Sequence, residues 1–271
     1  MEQDRVTESD TSAADISEPP APPVDFIDWL LFPIFITAFA GSLLFFDPLQ
    51  RIAIRFGVAA QQRVVIWLNY ALCASLRLIG TKIEVQGEDK LPTDCSCIIV
   101  SNHQSMFDIP ILSVLFRRHF PRFIAKKELS KGLPSVSFNL RRGGSAVIDR
   151  SDPRQAIPEI KRMGERLEQE HFAAVIFPEG TRARRGALKP FRPAGVSTLF
   201  QTAQRARVVP VAIDGAWKLA CRSKGPIPRG IRVTVRILDE LDRNGIHAKE
   251  LVPRTEAIIR KGLAEIRGEA P

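Results

Sequence analysis

Hydrophobic positions change their spacing along the chain, and each change predicts a different kind of element. Residues 1–25 show almost no apolar pattern. The stretch TESDTSAADISEPPAPP is polar, acidic and proline-rich, and is expected to be a disordered tail because it cannot bury enough apolar surface to offset ordering entropy. From Phe26 to Phe46 the chain reads FIDWLLFPIFITAFAGSLLFF, with Asp28 as its one charge. At about 1.5 Å per residue a helix of that length could cross a bilayer. A spanning helix is the first expectation, a helical hairpin or interfacial anchor the second, and a buried core helix the third. Ile52 to Ile79 mixes apolar runs with Arg55, Arg63 and Arg77, the pattern of an amphipathic helix lying on lipid or packed on a domain.

From about Thr81 short apolar runs alternate with helical stretches. Strands are predicted at Ile83 to Val85, Cys97 to Ser101, Arg122 to Ala125, Ser145 to Asp149, Ala173 to Phe177, Val208 to Ile213 and Ile231 to Leu238. Helices are predicted at Ile109 to Phe116, Ala156 to Glu170 and Ala194 to Arg205. Asp152 with Pro153 signals a helix start, and Pro158 predicts an irregular first turn or a later start. In the last strand Arg232, Thr234 and Arg236 alternate with Val233, Val235 and Ile237, which predicts one wet face near a sheet edge. The fold expected is α/β, a mixed and mostly buried sheet flanked by helices, behind an N-terminal membrane-anchoring helical segment. It divides as a tail over 1–25, an anchoring region over 26–80 and a globular domain over 81–271.

Composition narrows the classes. With 45% hydrophobic and 25% charged residues in 271, neither disorder throughout nor a polytopic membrane bundle fits. The formal charge is +9, and because residues 1–25 carry −6 the remainder carries +15. So basic a body implies an anionic partner: nucleic acid, an anionic membrane or a phosphorylated small molecule. Arg51, Arg55 and Arg63 follow the apolar stretch while acids precede it, which places the domain on the cytoplasmic face, the inner membrane in a bacterium. Cys73, Cys95, Cys97 and Cys221 have no C-x-x-C spacing, so reduced thiols and no metal site are expected.

In such folds ligands gather at the loops after strand C-termini. After CIIVS the chain reads NHQSMFDIP, and His103 and Asp108 can meet if the histidine lies in the loop and the aspartate opens the following helix. An aspartate on one imidazole nitrogen sets the tautomer and leaves the other nitrogen to accept a proton, so the pair is a candidate general base; the alternative is a loop histidine and a helix-opening aspartate with no shared role. After AAVIF comes PEGTRARRG, where Gly180, Thr181, Arg182, Arg184 and Arg185 make an anion site or a solvated basic turn. Arg150 ends another strand where a phosphate could dock, and Lys126 and Lys127 end RFIAK.

Together these loops resemble the glycerolipid acyltransferase family, most closely the 1-acylglycerol-3-phosphate acyltransferases, over about Thr81 to Leu238. Asn102-His103-Gln104-Ser105-Met106-Phe107-Asp108 matches the first family block, and Phe177-Pro178-Glu179-Gly180-Thr181-Arg182 matches the third in full. Gly144 to Arg150 matches the second with Val147 where an aromatic is common; Val208 to Ile213 matches the fourth, and Leu188 to Phe191 with Gly195 also fit.

The resemblance implies transfer of a fatty acyl group from an acyl-CoA or acyl-carrier-protein thioester to the free hydroxyl of a lysophospholipid, with no cofactor and no metal. It implies that His103 and Asp108 are catalytic and that Arg150, Glu179, Gly180, Thr181 and Arg182 bind the acceptor, with Lys126 or Lys127 adding to the phosphate site. Membrane lipids and lysophospholipid are the expected partners. Another lysolipid acceptor, such as a lyso-ornithine lipid, is the nearest alternative. A nucleic-acid-binding protein would leave the apolar stretch unexplained and lacks its usual signatures, and a non-catalytic lipid-binding module would not need His103 and Asp108.

Overall fold

The computed structural model describes residues 19–93, 95–183, 185–222 and 225–269. The expected tail lies outside them up to residue 18, as does Arg184. Residues 19–25 run without regular structure into helix α1, Phe26–Ala53. Its start is written locally: Asp25 accepts from the N–H groups of Ile27 and Asp28, and the Asp28 carboxylate takes the N–H of Asp25 in return. A turn at Ile54–Phe56 leads into α2, Val58–Leu78. The amphipathic stretch expected as one helix from Ile52 is therefore split, its first residues completing α1.

α1 is long and apolar enough to cross a membrane, with a mean hydropathy of 2.1 and little of it buried. It nevertheless does not stand clear of the domain. Asp28 Oδ1 accepts from Arg229 N at 2.9 Å. Phe35 and Phe39 meet the Phe107 ring edge-on at 6.1 and 5.8 Å. Ser135 donates its hydroxyl to Leu43 O at 2.7 Å and its N–H to Asp47 Oδ1 at 2.6 Å, and Gln61 Nε2 donates to Gln50 Oε1 at 3.3 Å. Asp28 to Gln50 is about 33 Å of helix. A helix fastened over that length lies alongside the domain and forms a hairpin with α2, and Phe26 to Phe46 is one unbroken helix within it. Asp28, the one charge in the apolar stretch, is only 4% exposed and is a joint of this attachment.

Seven strands form one sheet: β1 Lys82–Gln86, β2 Cys97–Ser101, β3 Arg122–Lys126, β4 Ala146–Ile148, β5 Ala173–Ile176, β6 Arg207–Asp214 and β7 Arg232–Ile237. Their order is β1-β7-β6-β2-β5-β3-β4. β6, β2, β5, β3 and β4 are parallel, β7 runs antiparallel to β6, and β1 pairs parallel with β7. All seven expected strands are present with ends within one residue. β7 sits one strand in from the edge, where Arg236 donates to Gln86 Oε1 at 2.7 Å.

β2 and β5 are apolar at every position because both faces of the sheet are covered. One face packs against α1, α2 and α3, Asp108–Leu115; α4, Val136–Arg142, borders it. The other packs against α5, Pro153–Gln169, α6, Pro193–Thr202, and α7, Ala248–Arg267. Phe35, Leu76 and Ile79 share a core with Ile99, Val175 and Val211, so the hairpin and the domain divided at residue 80 are continuous. α5 begins at Pro153, capped by Asp152, and carries Pro158 without a break. α4 and α7 were not expected. Seven residues give α4 no measurable period, whereas α7 buries Leu251, Thr255, Ile259 and Leu263 at four-residue spacing, a legible helical stripe that Pro253 obscures.

Beyond the last strand residue of β2, Asn102 extends the sheet with its side chain. Its Nδ2 donates to Ile213 O and its Oδ1 accepts from Ile213 N, both at 2.8 Å. This two-way bond mimics a backbone neighbour and fixes where the following loop leaves the sheet. Asn102→Ala should strand two buried backbone groups and lower folding stability by roughly 2–4 kcal/mol in urea unfolding, where an ordinary surface substitution stays within about 0.5 kcal/mol.

Candidate active site

The loops after five parallel strands emerge on one edge of the sheet, and this alone gathers the expected residues. His103 lies in the loop after β2 and Asp108 is the first residue of α3. His103 Nδ1 is 2.7 Å from Asp108 Oδ2, and the same oxygen accepts from the N–H groups of Gln104 and Ser105 at 2.7 and 2.9 Å. Asp108 is wholly buried. A carboxylate oxygen that already accepts two backbone N–H groups directs Nδ1–H toward itself, which leaves Nε2 as the acceptor nitrogen. The imidazole stacks on Phe177, 4.1 Å between centroids and 17° from parallel, so the ring plane is set from below as well.

Glu179 lies behind the histidine loop. Its Oε1 accepts from His103 N at 2.6 Å and its Oε2 from Lys189 N at 2.9 Å, and the residue is 2% exposed. Each oxygen is engaged by a backbone N–H, so Glu179 ties the loop after β5 to the histidine loop, an attachment that Ala183 N completes by donating to His103 O at 2.7 Å. Burial pushes its carboxyl up to about 7, against the two N–H bonds and Lys189, which pull it down.

Arg150, after β4, donates to Gly180 O at 2.5 Å. Gly180 has φ +70°, and a Cβ there would come within 3.1 Å of the Arg192 side chain, which lies across the turn. Burial and then the Arg192 guanidinium hold Arg150 below its ordinary range, with Arg182 acting in the same direction and Glu128 opposing. Three guanidiniums thus crowd one glycine turn, and among the described residues none of them has a carboxylate within salt-bridge distance. Like charges gathered without a counter-ion make an anion site. Arg192 was missed by sequence reasoning; only its place directly after Phe191 in the matched stretch hinted at it. Thr181 and Arg182 are exposed at the same turn. Lys126 and Lys127 are exposed at the end of β3, and Lys126 Nζ pairs with Glu128 Oε1 at 3.0 Å, so the structure brings neither against Gly180.

Two cavities flank Phe177 and the histidine loop. The larger, about 600 Å³, lies between α1 and that loop, walled by Phe35, Phe39, Phe107, Leu219 and Ile227, with Gln104 and Arg182 also facing it. The smaller, about 240 Å³, is walled by Ile124, Ile148, Ile160 and Ile176, with Arg150 and Arg192 in its lining. The first cavity thus offers an apolar wall next to the histidine loop, and the second brings Arg150 and Arg192 to an apolar pocket bordered by Phe177. Cys73 and Cys97 are buried, and burial pushes the Cys73 thiol up to about 12 and the Cys97 thiol up as well.

Residues 82–214 match the family model described as Acyltransferase. A 1-acyl-sn-glycerol-3-phosphate acyltransferase of Pseudomonas aeruginosa is 28% identical over 90% of this chain and 93% of its own. The human beta form is 33% identical over 64% of this chain and 60% of its own, and a chloroplast form from Brassica napus is 33% identical over 51% and 39%. The chain thus spans well under two thirds of the plant relative. The crystal structure of the 1-acyl-sn-glycerophosphate acyltransferase from Thermotoga maritima shares the fold, with a TM-score of 0.66 at 24% identity, over 90% of this chain and 97% of that one.

The raised Glu179 carboxyl carries a signed consequence for stability. Between about pH 4.5 and about pH 7 the folded protein keeps a proton that the unfolded chain has released, so this contribution is full below about pH 4.5 and is lost as pH rises through about 7. It amounts to about 3 kcal/mol. Urea midpoints across this window should fall with pH more steeply in wild type than in Glu179→Gln, which has no proton to lose; parallel profiles would show that the carboxyl titrates normally.

Proposed function

We propose, from the match of residues 82–214 to the acyltransferase family model, that the chain is a 1-acylglycerol-3-phosphate O-acyltransferase, converting lysophosphatidate to phosphatidate with an acyl thioester as donor. The observation that carries this reading is the His103–Asp108 pair in a loop that borders an aromatic-walled cavity and is tied to the turn where Arg150, Arg182 and Arg192 gather. An acyl chain fits the first and a phosphate monoester the second.

The chemistry follows from the nitrogen left free. His103 Nε2 takes the proton of the acceptor hydroxyl as its oxygen attacks the thioester carbonyl; the tetrahedral intermediate expels the thiolate, and the imidazolium returns the proton to it. Asp108 holds the ring and stabilises the imidazolium. The route uses only these protein groups and the two substrates, acyl-CoA or acyl-carrier protein and lysolipid. Arg150 and Arg192 bracket the acceptor phosphate over Gly180, with Arg182 at the rim, and Glu179 acts from behind by holding the His103 amide.

Attachment to lipid follows from what α1 leaves exposed. Leu30, Ile34, Leu44, Phe45 and Ile52 form an outward stripe at helical spacing, and Phe45 is 63% exposed. Trp67 and Tyr70 on α2 stand near Arg63, Arg117 and Arg118, the residue types of a membrane–water boundary. The hairpin rests in one leaflet with the domain on the cytoplasmic side, so acceptor and product never leave the bilayer fully.

Purified protein given acyl-CoA and a panel of lysolipids should convert lysophosphatidate to phosphatidate, identified by mass. His103→Ala should lose at least ~10²-fold and Asp108→Asn a similar factor. Arg150→Ala and Arg192→Ala should each lower kcat/KM for lysophosphatidate roughly 10-fold to 100-fold while leaving the donor KM unchanged. Equal impairment with a lysolipid lacking the phosphate monoester would remove the arginines from acceptor binding and favour another acceptor.

Leu30→Glu with Phe45→Glu should release the folded protein from phospholipid vesicles in sedimentation. Retention of that variant would place the lipid contact elsewhere.

A further inference from the structure

The C-terminal helix reaches the site from the far side of the sequence. Arg267 is the last residue of α7, and its Nη2 donates to Asp214 Oδ1 at 2.6 Å and to Gly186 O at 2.8 Å, with Nε 3.2 Å from the same carboxylate oxygen. Asp214 ends β6, and its Oδ1 also accepts from Gln104 Nε2 at 3.1 Å. Gln104 follows His103, its Oε1 accepts from Trp217 N at 3.3 Å, and its N–H is one of the three donors on Asp108. Gly186 closes the loop that carries Arg182; its φ is +83°, and a Cβ there would stand 2.6 Å from the Trp217 ring nitrogen. One guanidinium therefore braces two loops at once.

We infer that Arg267 and Asp214 are positioning residues for acyl transfer, holding the histidine loop through Gln104 and the arginine loop through Gly186. Neither touches His103 or the arginine turn, so both act through the loops they hold. The Asp214 arm restrains the ring-bearing loop against Asp108. The Gly186 arm restrains the turn that presents Arg182. Loosening the first misplaces the base by fractions of an ångström, which lowers turnover; loosening the second weakens capture of the acceptor anion. The two arms are separable because Asp214→Ala cuts the first and leaves Arg267 free to hold Gly186.

This inference rests on the acyltransferase reading, and the test keeps the two apart. Asp214→Ala should lower kcat roughly 10-fold with the acceptor KM unchanged, and Arg267→Ala should lower kcat similarly and raise the acceptor KM several-fold. Arg267→Lys should recover kcat in part, through charge pairing with Asp214, but not the KM, because an ammonium lacks the fork that serves both oxygens. Without any substrate, hydrogen exchange at the Gln104 and Ser105 amides should be faster in Asp214→Ala and Arg267→Ala than in wild type. Kinetic constants within about 2-fold of wild type with unchanged exchange would overturn the brace. If wild type acylates a different lysolipid, the same comparison is made with that acceptor; if it acylates none, the functional reading falls and the exchange measurement alone decides the brace.

Discussion

Asp108 Oδ2 receives three N–H donors from residues 103–105, and the remainder of the site is arranged around that one oxygen. A wholly buried carboxylate is costly unless its charge is met by hydrogen bonds, and a tight loop at the start of α3 supplies them without help from any cation. Because the same donors include His103 Nδ1–H, satisfying the aspartate also orients the histidine. Stability of the loop and readiness of the base are thus one requirement.

The site treats its two signs of charge in opposite ways. Asp108 and Glu179 are buried and meet N–H groups of the loops around them, whereas Arg150, Arg182 and Arg192 crowd a glycine turn with no carboxylate partner among the described residues. The carboxylates are structural joints between loops; the arginines retain an unbalanced field that an incoming anion relieves. Their difference in burial follows from position, since the acids face the sheet and the arginines face the edge where five strand ends open to solvent.

The hairpin shows how a polypeptide meets two environments with one helix. Apolar contact is non-directional and cannot by itself choose which face of α1 turns inward. The polar joints choose it: Asp28 to Arg229, Asp47 to Ser135 and Gln50 to Gln61 lie on one side, so Leu30, Leu44 and Phe45 are left on the other. The same helix also supplies Phe35 and Phe39 to the wall of the larger cavity, which couples the apolar helix to the histidine loop.

The strands and the His103–Asp108 contact were legible in the sequence because they depend on local order. Buried parallel strands are short continuous apolar runs, the loop after each is read directly, and His103 with Asp108 closes within six residues. What required the tertiary structure depends on which distant segments meet. Asp28 reads as a stray charge until Arg229 lies beside it, and nothing in an apolar run of bilayer length shows that Ser135 and Phe107 will be found against it. Glu179 belongs to a matched block whichever way it points, and only its burial against the His103 amide makes it a joint. Arg192 and Arg267 carry no signal of their own, since a lone arginine on a helix end is ordinary; their roles come from the sheet order that places the ends of β2, β4, β5 and β6 together. Local chemistry is carried by short spacing along the chain, but the direction in which a side chain faces is settled by contacts that no spacing encodes.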